Sequence, residues 1–440
     1  MRYHFIRASI TSLLIFIGAN AFPQQLSSQQ VEVAFHNLIQ TPGMESAHAG
    51  LYVIDLNDGT TVFSFNHNHL FTPASNVKLF TTAMGLEILG NDFLWITKAT
   101  ITGKRRRNGT LVGDLVISGS GDPTFSSMCL TGYDNNISSI FTFLKKNEIQ
   151  KIRGAVYLKD TEEIKASFPP NWLFDDLQYY WGSGVYAFNY CDNSRFFSAD
   201  NPDVRIYDTT GISSNTITLS DPDPWLSFTK VLNDTLNIKK CKRRNGGKSS
   251  QNRFVADYTM YSPSLNEIVK EINVESRNMW AEALLLSIGT EMGLEKDFEL
   301  AADTLAEYWK EKLGFRESLF LYDGSGLSPY DAVTPQLLVE LMKYMVLSSS
   351  EGRAFVQSIP EVGVSGTVKK LDYGGDLHPK ILAKSGSFTR VRNYTGYILD
   401  NDGKPRYAFS LMMNGFTCSH EELIVKTGIF FSELFYDVLN

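Results

Sequence analysis

Three short groups of residues carry the side chains that serine-based acyl transfer requires. Ser75 is followed three positions later by Lys78, Ser276 is followed by Asn278, and Lys384 precedes a hydroxyl residue and a glycine. A serine becomes a nucleophile when a neighbouring base removes its proton, and a neutral lysine one helical turn away can be that base. A second lysine can hold a substrate carboxylate. The types and order of these residues predict an acyl-enzyme on Ser75.

Each group has a competitor elsewhere, and the surrounding sequence chooses between them. Residues 227–230 also fit S-x-x-K, but only Ser75 opens an apolar run with helical spacing that ends at Gly90. A serine at a helix start lies near free backbone N–H groups, and Lys78 follows on the same face. We therefore favour Ser75 and interpret residues 227–230 as a loop or short helix.

The second and third groups are selected in the same way. Ser276 lies on a short link between two segments with helical spacing, 263–272 and 279–288. A simple N-cap of the second of these helices is the alternative role for Ser276. Lys384 follows an apolar run typical of a strand, whereas the literal K-T-G at Lys426 falls in a segment with helical spacing. We predict that Lys384, on a rigid sheet edge, faces the substrate.

The three groups and several longer segments resemble the peptidase S13 family, the D-alanyl-D-alanine carboxypeptidase/endopeptidases of class C of the low-molecular-mass penicillin-binding proteins. The matching segments are residues 73–79, 113–124, 262–278, 323–328 and 383–386. The second of them (G-D-L-V-I-S-G-S-G-D-P-T) is the most telling, because it belongs to a large insertion that ordinary β-lactamases lack.

Residue chemistry and the resemblance together imply a proton path. Lys78 would take the proton of Ser75 if burial and a nearby positive charge lower the lysine pKa. Ser276 would relay a proton from Lys78 to the leaving amine. Asn278 would hold Lys78 and the substrate backbone in register. Ser75, Lys78, Ser276 and Asn278 are thus the expected catalytic residues.

The third group is expected to bind the substrate. Lys384 would supply a fixed positive charge for a terminal carboxylate, helped by the Ser385 hydroxyl beside Gly386. Backbone N–H groups of Ser75 and Ser387 would form the oxyanion hole. The expected ligands are peptidoglycan stem peptides and β-lactam antibiotics. This scheme uses no metal and no cofactor.

The resemblance also implies a specificity residue in the insertion. Residues 172–177 (W-L-F-D-D-L) are similar to the family's W-x-W-x-D segment, which places Asp176 at the cleft. There its carboxylate would receive the amine of diaminopimelate, the third residue of the peptide. The alternative is that Asp175 and Asp176 are solvated loop acids.

Three positions depart from the family pattern. The usual K-T-G-T is K-S-G-S here, a hydroxyl-for-hydroxyl exchange that we expect to be tolerated. Arg277 stands where an aspartate is common, which reverses a local charge and changes the expected pH dependence. Residues 366–371 (G-T-V-K-K-L) lack the arginine of the family's G-T-L-x-x-R. Whether Lys370 replaces that arginine is left open.

Two other function classes are considered. A β-lactamase would share the acylation residues but would have to deacylate quickly, and the long insertion argues against it. A non-catalytic peptidoglycan-binding protein would tolerate the loss of a catalytic residue, and none is lost. The balance between carboxypeptidase and endopeptidase activity is not decided by the sequence.

Composition and the N-terminal sequence indicate the setting of the protein. A net charge of −7 in 440 residues, without an evident basic face, argues against nucleic acid as a partner. Arg2 and Arg7 precede an apolar run at 10–19 and an A-N-A cleavage sequence, so residues 1–21 are predicted to be a signal peptide. That run is too short for a bilayer span. We expect an exported, periplasmic protein without a stable membrane anchor, of undetermined oligomeric state.

The expected fold class is α+β. Residues 22–96 and 262–440 would form one β-lactamase/transpeptidase-like catalytic domain, an antiparallel sheet flanked by helices. A mainly β insertion at 97–261 would split it, with a smaller domain nested at about 203–247. Four cysteines allow two disulfides in three pairings, and the sequence does not choose among them (Cys129, Cys191, Cys241 and Cys418).

Overall fold

A computed structural model describes most of the chain. The described residues are 25–130, 132–160, 164–199, 205–206, 216–236, 241–245, 254–315, 319–374 and 379–435. The predicted signal peptide at 1–21 and much of the predicted nested domain at 203–247 lie outside these ranges.

The described residues form helices and strands in alternation along the chain. The helices are α1 (Ser28–Ile39), α2 (Val77–Leu89), α3 (Ile137–Lys146), α4 (Pro224–Leu236), α5 (Leu265–Glu275), α6 (Asn278–Glu291), α7 (Phe298–Leu313), α8 (Pro335–Leu347), α9 (Gly352–Ser358) and α10 (His420–Glu433). The strands are β1 (His48–Asp55), β2 (Thr61–Phe65), β3 (Ile96–Arg105), β4 (Thr110–Ser118), β5 (Lys151–Ile152), β6 (Val156–Asp160), β7 (Ser194–Ser198), β8 (Arg205–Ile206), β9 (Thr216–Ser220), β10 (Cys241–Asn245), β11 (Phe254–Tyr261), β12 (Leu319–Phe320), β13 (Ala332–Val333), β14 (Ile381–Phe388), β15 (Val391–Leu399) and β16 (Pro405–Asn414).

The largest helical region surrounds a five-stranded antiparallel sheet in the order β14-β15-β16-β1-β2. Successive side chains of β1 point to opposite sides of the sheet, and both sides are buried. Leu51 and Val53 pack in the core that includes α1 and α10. Tyr52 and Ile54 pack in the core that includes α2 and α5 to α8. The sheet therefore lies between two helical layers, and β14 is its edge strand.

Helix α2 passes through the middle of one of these layers. All ten residues from Val77 to Leu86 are buried, including Lys78. Gly85 allows the close approach of α6, since a Cβ there would lie 2.9 Å from Leu284. A lysine in such a helix loses contact with water, which makes its charged form costly.

A second sheet lies within residues 96–261, in the order β10-β6-β4-β3-β11 with β5 beside β4. The chain enters through β3 and returns through β11, which pair in antiparallel register from Ile96↔Tyr261. Helices α3 and α4 cover this sheet and share its core. A small third sheet has the order β8-β7-β9. The insertion is thus β-sheet structure with two helices packed against it.

The predicted α+β class, the β1–β2 hairpin and the strands around Lys384 are confirmed. The S-x-x-K sequence at 227–230 lies in α4, where Ser227 donates to the Asp221 carboxylate. In the part of the chain that the structure describes, no helix has the length and apolar character of a membrane span. Cys129 and Cys418 carry free thiols. The boundaries of the domains stay a prediction.

Candidate active site

Ser75 lies in a single 3₁₀ turn, Ala74–Asn76, directly before α2. Ala74 has a left-handed φ of 48°, which an L-residue adopts only when its surroundings enforce it. Two glycines allow neighbouring backbone segments to approach this turn closely enough to hold Ala74 in that conformation. A Cβ on Gly386 would lie 2.2 Å from the Pro73 carbonyl oxygen, and one on Gly326 would lie 1.9 Å from that of Ala74. The backbone at Gly386, in the third group, and at Gly326 therefore packs directly against the turn that carries the serine.

Side chains of β15 hold the same turn from beneath. Asn76 Nδ2 donates to Thr395 Oγ1 at 2.9 Å. Asn393 Nδ2 donates to the carbonyl oxygens of Thr72 and Pro73, each at 2.9 Å. These bonds satisfy buried polar groups and fix the position of the Ser75 backbone on the sheet.

Lys78 is fully buried, and its ammonium nitrogen has three hydrogen-bond partners. Nζ lies 2.9 Å from Ser75 Oγ, 2.7 Å from Asn278 Oδ1 and 2.6 Å from the Ser325 carbonyl oxygen. Burial lowers the pKa of Lys78 to about 7, although buried carboxylates nearby act in the opposite direction. A neutral lysine at hydrogen-bond distance from a serine hydroxyl can act as its general base.

The principal carboxylate behind Lys78 is Asp323, which is fully buried. It accepts N–H groups from four residues of its own loop, at 2.6–3.1 Å, and the indole N–H of Trp172 at 2.8 Å. The four are Ser325, Gly326, Leu327 and Ser328. Asp323 therefore shapes the loop whose carbonyl oxygen accepts from Lys78.

Two further buried acids lie near Asp323. Glu282 of α6 accepts the Gly324 N–H at 3.0 Å. Burial, together with the charge of Asp323, raises the pKa of Glu282 to about 8. The same causes raise the pKa of Asp331 well above its ordinary value. The upward shifts favour the neutral form of both acids, which reduces the negative charge around Lys78. No motif or spacing in the sequence indicated this role for Glu282 or Asp331.

Ser276 and Asn278 each bind one of the two lysines of the site. Ser276 adopts a left-handed φ of 58° at the end of α5, and its Oγ accepts from Lys384 Nζ at 3.0 Å. Asn278 begins α6, where its Oδ1 accepts from Lys78 and its Nδ2 donates to the Trp181 carbonyl at 2.8 Å. The N-cap residue of α6 is Arg277. The helix-cap role considered for Ser276 is therefore not what its side chain does.

Lys384 lies on β14 and is completely buried. Besides Ser276, its Nζ donates to the Ser385 carbonyl at 3.0 Å. Burial, and to a smaller extent the charge of Lys78, hold the pKa of Lys384 well below its usual value. An anion bound beside Lys384 would favour the charged form of this lysine. Lys426, in contrast, is half-buried on α10 and donates to the Pro42 carbonyl.

The residues after Lys384 line the edge of the sheet. Ser385 Oγ is 2.8 Å from Thr367 Oγ1, a contact that the sequence did not indicate. Ser387 is exposed and pairs with Arg392 of β15, which leaves its other side on the open edge of β14. Lys370 is exposed, and its use in place of the family arginine stays a prediction.

Asp176 is half-exposed on the short 3₁₀ segment Phe174–Gln178. Its Oδ1 accepts from the indole N–H of Trp181 at 2.9 Å. Since the Trp181 carbonyl accepts from Asn278, Asp176 is joined to the catalytic residues through one tryptophan. Asp175 is exposed. The substrate contact proposed for Asp176 stays a prediction.

The sequence of this chain matches a known protein family over most of its length. A family model described as D-Ala-D-Ala carboxypeptidase 3 (S13) matches residues 31–236 and 228–429. The match includes both lysines, both serines and the asparagine of the site.

Individual relatives cover most of the chain. A penicillin-sensitive carboxypeptidase A from Dictyostelium discoideum is 23% identical over 441 residues, which is 86% of this chain and 84% of the relative. A D-alanyl-D-alanine carboxypeptidase from an Actinomadura species is 24% identical over 441 residues, 86% and 80% of the two chains. The crystal structure of penicillin binding protein 4 from Haemophilus influenzae has a TM-score of 0.73 at 20% identity, covering 93% of this chain and 99% of that one. The two proteins share a fold.

Proposed function

This chain belongs to the D-Ala-D-Ala carboxypeptidase 3 (S13) family, and from that premise we propose that it is a serine-type D-Ala-D-Ala carboxypeptidase. Its substrates are peptidoglycan stem peptides, and β-lactams acylate the same serine. One observation carries the proposal: the buried Nζ of Lys78 bridges Ser75 Oγ at 2.9 Å and Asn278 Oδ1 at 2.7 Å. This arrangement supplies a nucleophile, its base and the group that orients the base.

Acylation begins with proton transfer from Ser75 Oγ to the neutral amine of Lys78. Oγ then attacks the carbonyl carbon of the penultimate residue, and the peptide C–N bond breaks. The leaving amine takes its proton from the hydroxyl of Ser276, which is replenished from Lys78. Water later hydrolyses the ester, with Lys78 again serving as base.

Two groups on β14 position the substrate. The terminal carboxylate binds Lys384, and the resulting ion pair favours the charged form of the buried lysine. The carbonyl oxygen lies between the backbone N–H groups of Ser75 and Ser387, which form the oxyanion hole. The open edge of β14 lets the peptide add as an extra strand.

The same chemistry extends to peptide cross-links. In an endopeptidase reaction the leaving amine belongs to a second stem peptide instead of a terminal D-alanine, while the acyl-enzyme is unchanged. We include DD-endopeptidase activity in the proposal on this ground. A periplasmic location follows from the substrate and from the signal-peptide features of residues 1–21. We also propose that residues 22–96 and 262–440 form the catalytic domain and that residues 97–261 form the insertion.

Mass spectrometry after incubation with penicillin tests the proposal. An intact-penicillin adduct on the peptide that contains Ser75, absent in Ser75→Ala, is the expected result. Ser227→Ala is the matched control, because Ser227 belongs to the other S-x-x-K sequence and should leave the adduct in place. Rapid turnover of a chromogenic cephalosporin would favour a β-lactamase. Failure of any residue to form an adduct would favour a non-catalytic protein.

A further inference from the structure

A cavity of about 380 Å³ opens beside the Ser276–Asn278 turn, towards the small sheet β8-β7-β9. Ser276 and Asn278 belong to its wall, so the cavity is continuous with the catalytic residues. Trp280 and Phe196 contribute apolar surface. Small-molecule sites have volumes of about 300–1,000 Å³, so a branch of a substrate fits here. The reaction described above makes no use of this space.

Arg277 contributes the cationic group of the cavity. Its Nε is buried without a hydrogen-bond partner, and no carboxylate among the described residues forms an ion pair with it. The guanidinium carbon lies 5.8 Å from the centre of the Trp280 ring. A buried donor without a partner requires an explanation, and a guanidinium fork matches the geometry of a carboxylate. The arrangement points to an acidic ligand group.

Asp192 and Glu275 also line the cavity, but neither forms an ion pair with Arg277. Asp192 uses one oxygen to accept from the Trp280 indole at 3.1 Å and the other to accept from the Met128 N–H at 3.2 Å. Glu275 is exposed to solvent. Glu271, half-buried on α5, senses the charge of Arg277 without forming an ion pair, and burial raises its pKa.

The cavity adjoins the leaving-group side of the reaction. Ser276 hands its proton to the leaving amine, and its hydroxyl is 3.0 Å from Lys384, which holds the carboxylate next to that amine. A terminal D-alanine ends at this carboxylate. The second stem peptide of a cross-link continues beyond it and carries a further carboxylate, on its glutamyl residue. The neighbouring cavity is the space that such a branch would enter.

Building on the proposed function, we propose that Arg277 binds a second carboxylate, carried by the amine-side stem peptide of a cross-link. This contact selects cross-linked peptides over peptides that end in D-Ala-D-Ala. A charged hydrogen bond of this kind corresponds to about a 10- to 100-fold difference in kcat/KM.

The test uses three synthetic cross-linked peptide dimers and the full-length enzyme. One dimer has free glutamyl α-carboxylates, one is amidated only on the amine-side stem, and one only on the acyl-side stem. The wild type should cleave the amine-side amide about 10- to 100-fold more slowly than the free acid. The acyl-side amide should behave like the free acid. Arg277→Gln should remove the difference, Arg277→Lys should restore part of it, and Arg106→Gln, an exposed control, should retain it.

Three results would overturn the inference. They are equal cleavage of all dimers by the wild type, an equal loss on all dimers in Arg277→Gln, and a preference governed by the acyl-side stem. No cleavage of any dimer by an enzyme that still forms the penicillin adduct on Ser75 would also reject it, while leaving the carboxypeptidase proposal intact. Absence of the adduct itself would reject the underlying function instead. Thermal unfolding of each variant checks that the fold is retained.

Discussion

Strand β14 and helix α10 each carry a lysine, a hydroxyl residue and a glycine in the same order. On β14, Lys384 is buried against Ser276, and Gly386 lies against the turn that carries Ser75. On α10, Lys426 is half-buried and donates to the Pro42 carbonyl, and a Cβ on Gly428 would lie 2.1 Å from the Asp372 carbonyl oxygen. The closer match to the usual K-T-G is the one on the helix. The comparison shows that the surrounding fold, and not the three residues alone, decides which of the two segments lies beside Ser75.

The two glycines offer the strongest test of this contrast. Gly386→Ala should displace the Ser75 turn and lower the rate of penicillin acylation about 100-fold, because small misplacements of reacting groups are costly. Gly428→Ala should instead reduce the free energy of unfolding by about 1–3 kcal/mol through overpacking, with acylation by the folded enzyme preserved. Acylation kinetics and urea unfolding of both variants provide the measurements.

Gly289→Ala is the matched control for the glycine pair, since a Cβ there makes only an ordinary contact with Ala301 at 3.4 Å. It should change neither acylation nor stability substantially. If Gly386→Ala and Gly428→Ala lower the acylation rate equally, the distinction between the two segments is wrong.

Removal of the lysine side chains should give the next largest effect. Lys384→Ala loses a charged hydrogen-bond partner of the substrate carboxylate, worth about 1.5–3 kcal/mol in the free energy of activation. Lys426→Ala removes a half-buried side chain of α10 whose hydrogen bond goes to the Pro42 carbonyl, and should change that free energy by less than about 0.5 kcal/mol. Values of kcat/KM for a D-Ala-D-Ala peptide measure both. A larger loss in Lys426→Ala would contradict our assignment of the carboxylate site.

The pH dependence of kcat/KM tests whether Lys384 on β14 must be charged to bind the substrate carboxylate. Below about pH 7, protonation of Lys78 should lower kcat/KM about tenfold for each pH unit. At higher pH, loss of the Lys384 proton should weaken binding of the carboxylate, since burial lowers the pKa of this lysine. The profile is therefore bell-shaped for a peptide with a free terminus.

A peptide whose terminal carboxylate is amidated should lose the alkaline limb and keep the acid limb. Such a result would assign the two limbs to Lys384 and Lys78 respectively. An alkaline limb of equal size with the amide would show that Lys384 does not titrate against the substrate carboxylate.

Asp176→Asn should produce the smallest effect. A partly exposed ion pair contributes up to about 1 kcal/mol, so cleavage of diaminopimelate-containing peptides should fall about 2- to 5-fold. Penicillin lacks that side chain and should acylate Ser75 at nearly the wild-type rate. Asp175→Asn is the control at the neighbouring exposed position. Equal losses on peptide and penicillin would indicate a structural role through Trp181.

The parts of the site that lie on regular elements could be predicted from the sequence. The apolar spacing after Ser75 indicated the start of α2, and the alternation around Lys384 indicated a strand. Both signals are local, because side-chain periodicity reflects the element itself. The same spacing was present in α4, where Trp225, Phe228 and Leu232 are buried, but we interpreted residues 227–230 only as a loop or short helix.

The buried acids could not be predicted in the same way. Asp323 binds Trp172, which is 151 positions away, and Glu282 accepts from a loop 42 positions away. Such contacts depend on tertiary packing, which leaves no periodic signal. The resemblance did single out residues 323–328 as a segment, but neither it nor composition indicated that this loop lies beneath Lys78.

The pairing of β1 with β16 has a consequence for the order of synthesis. Leu51 pairs with Leu411, so the central sheet cannot close until nearly the whole chain has been made. Ribosomes add about 5–20 residues per second, which separates the synthesis of Ser75 from that of Lys384 by tens of seconds. During that interval the nascent chain carries a nucleophile without the strand that positions its substrate. The acyl-transfer site is therefore incomplete in the unfinished chain, and β1 has no β16 to pair with during a long period.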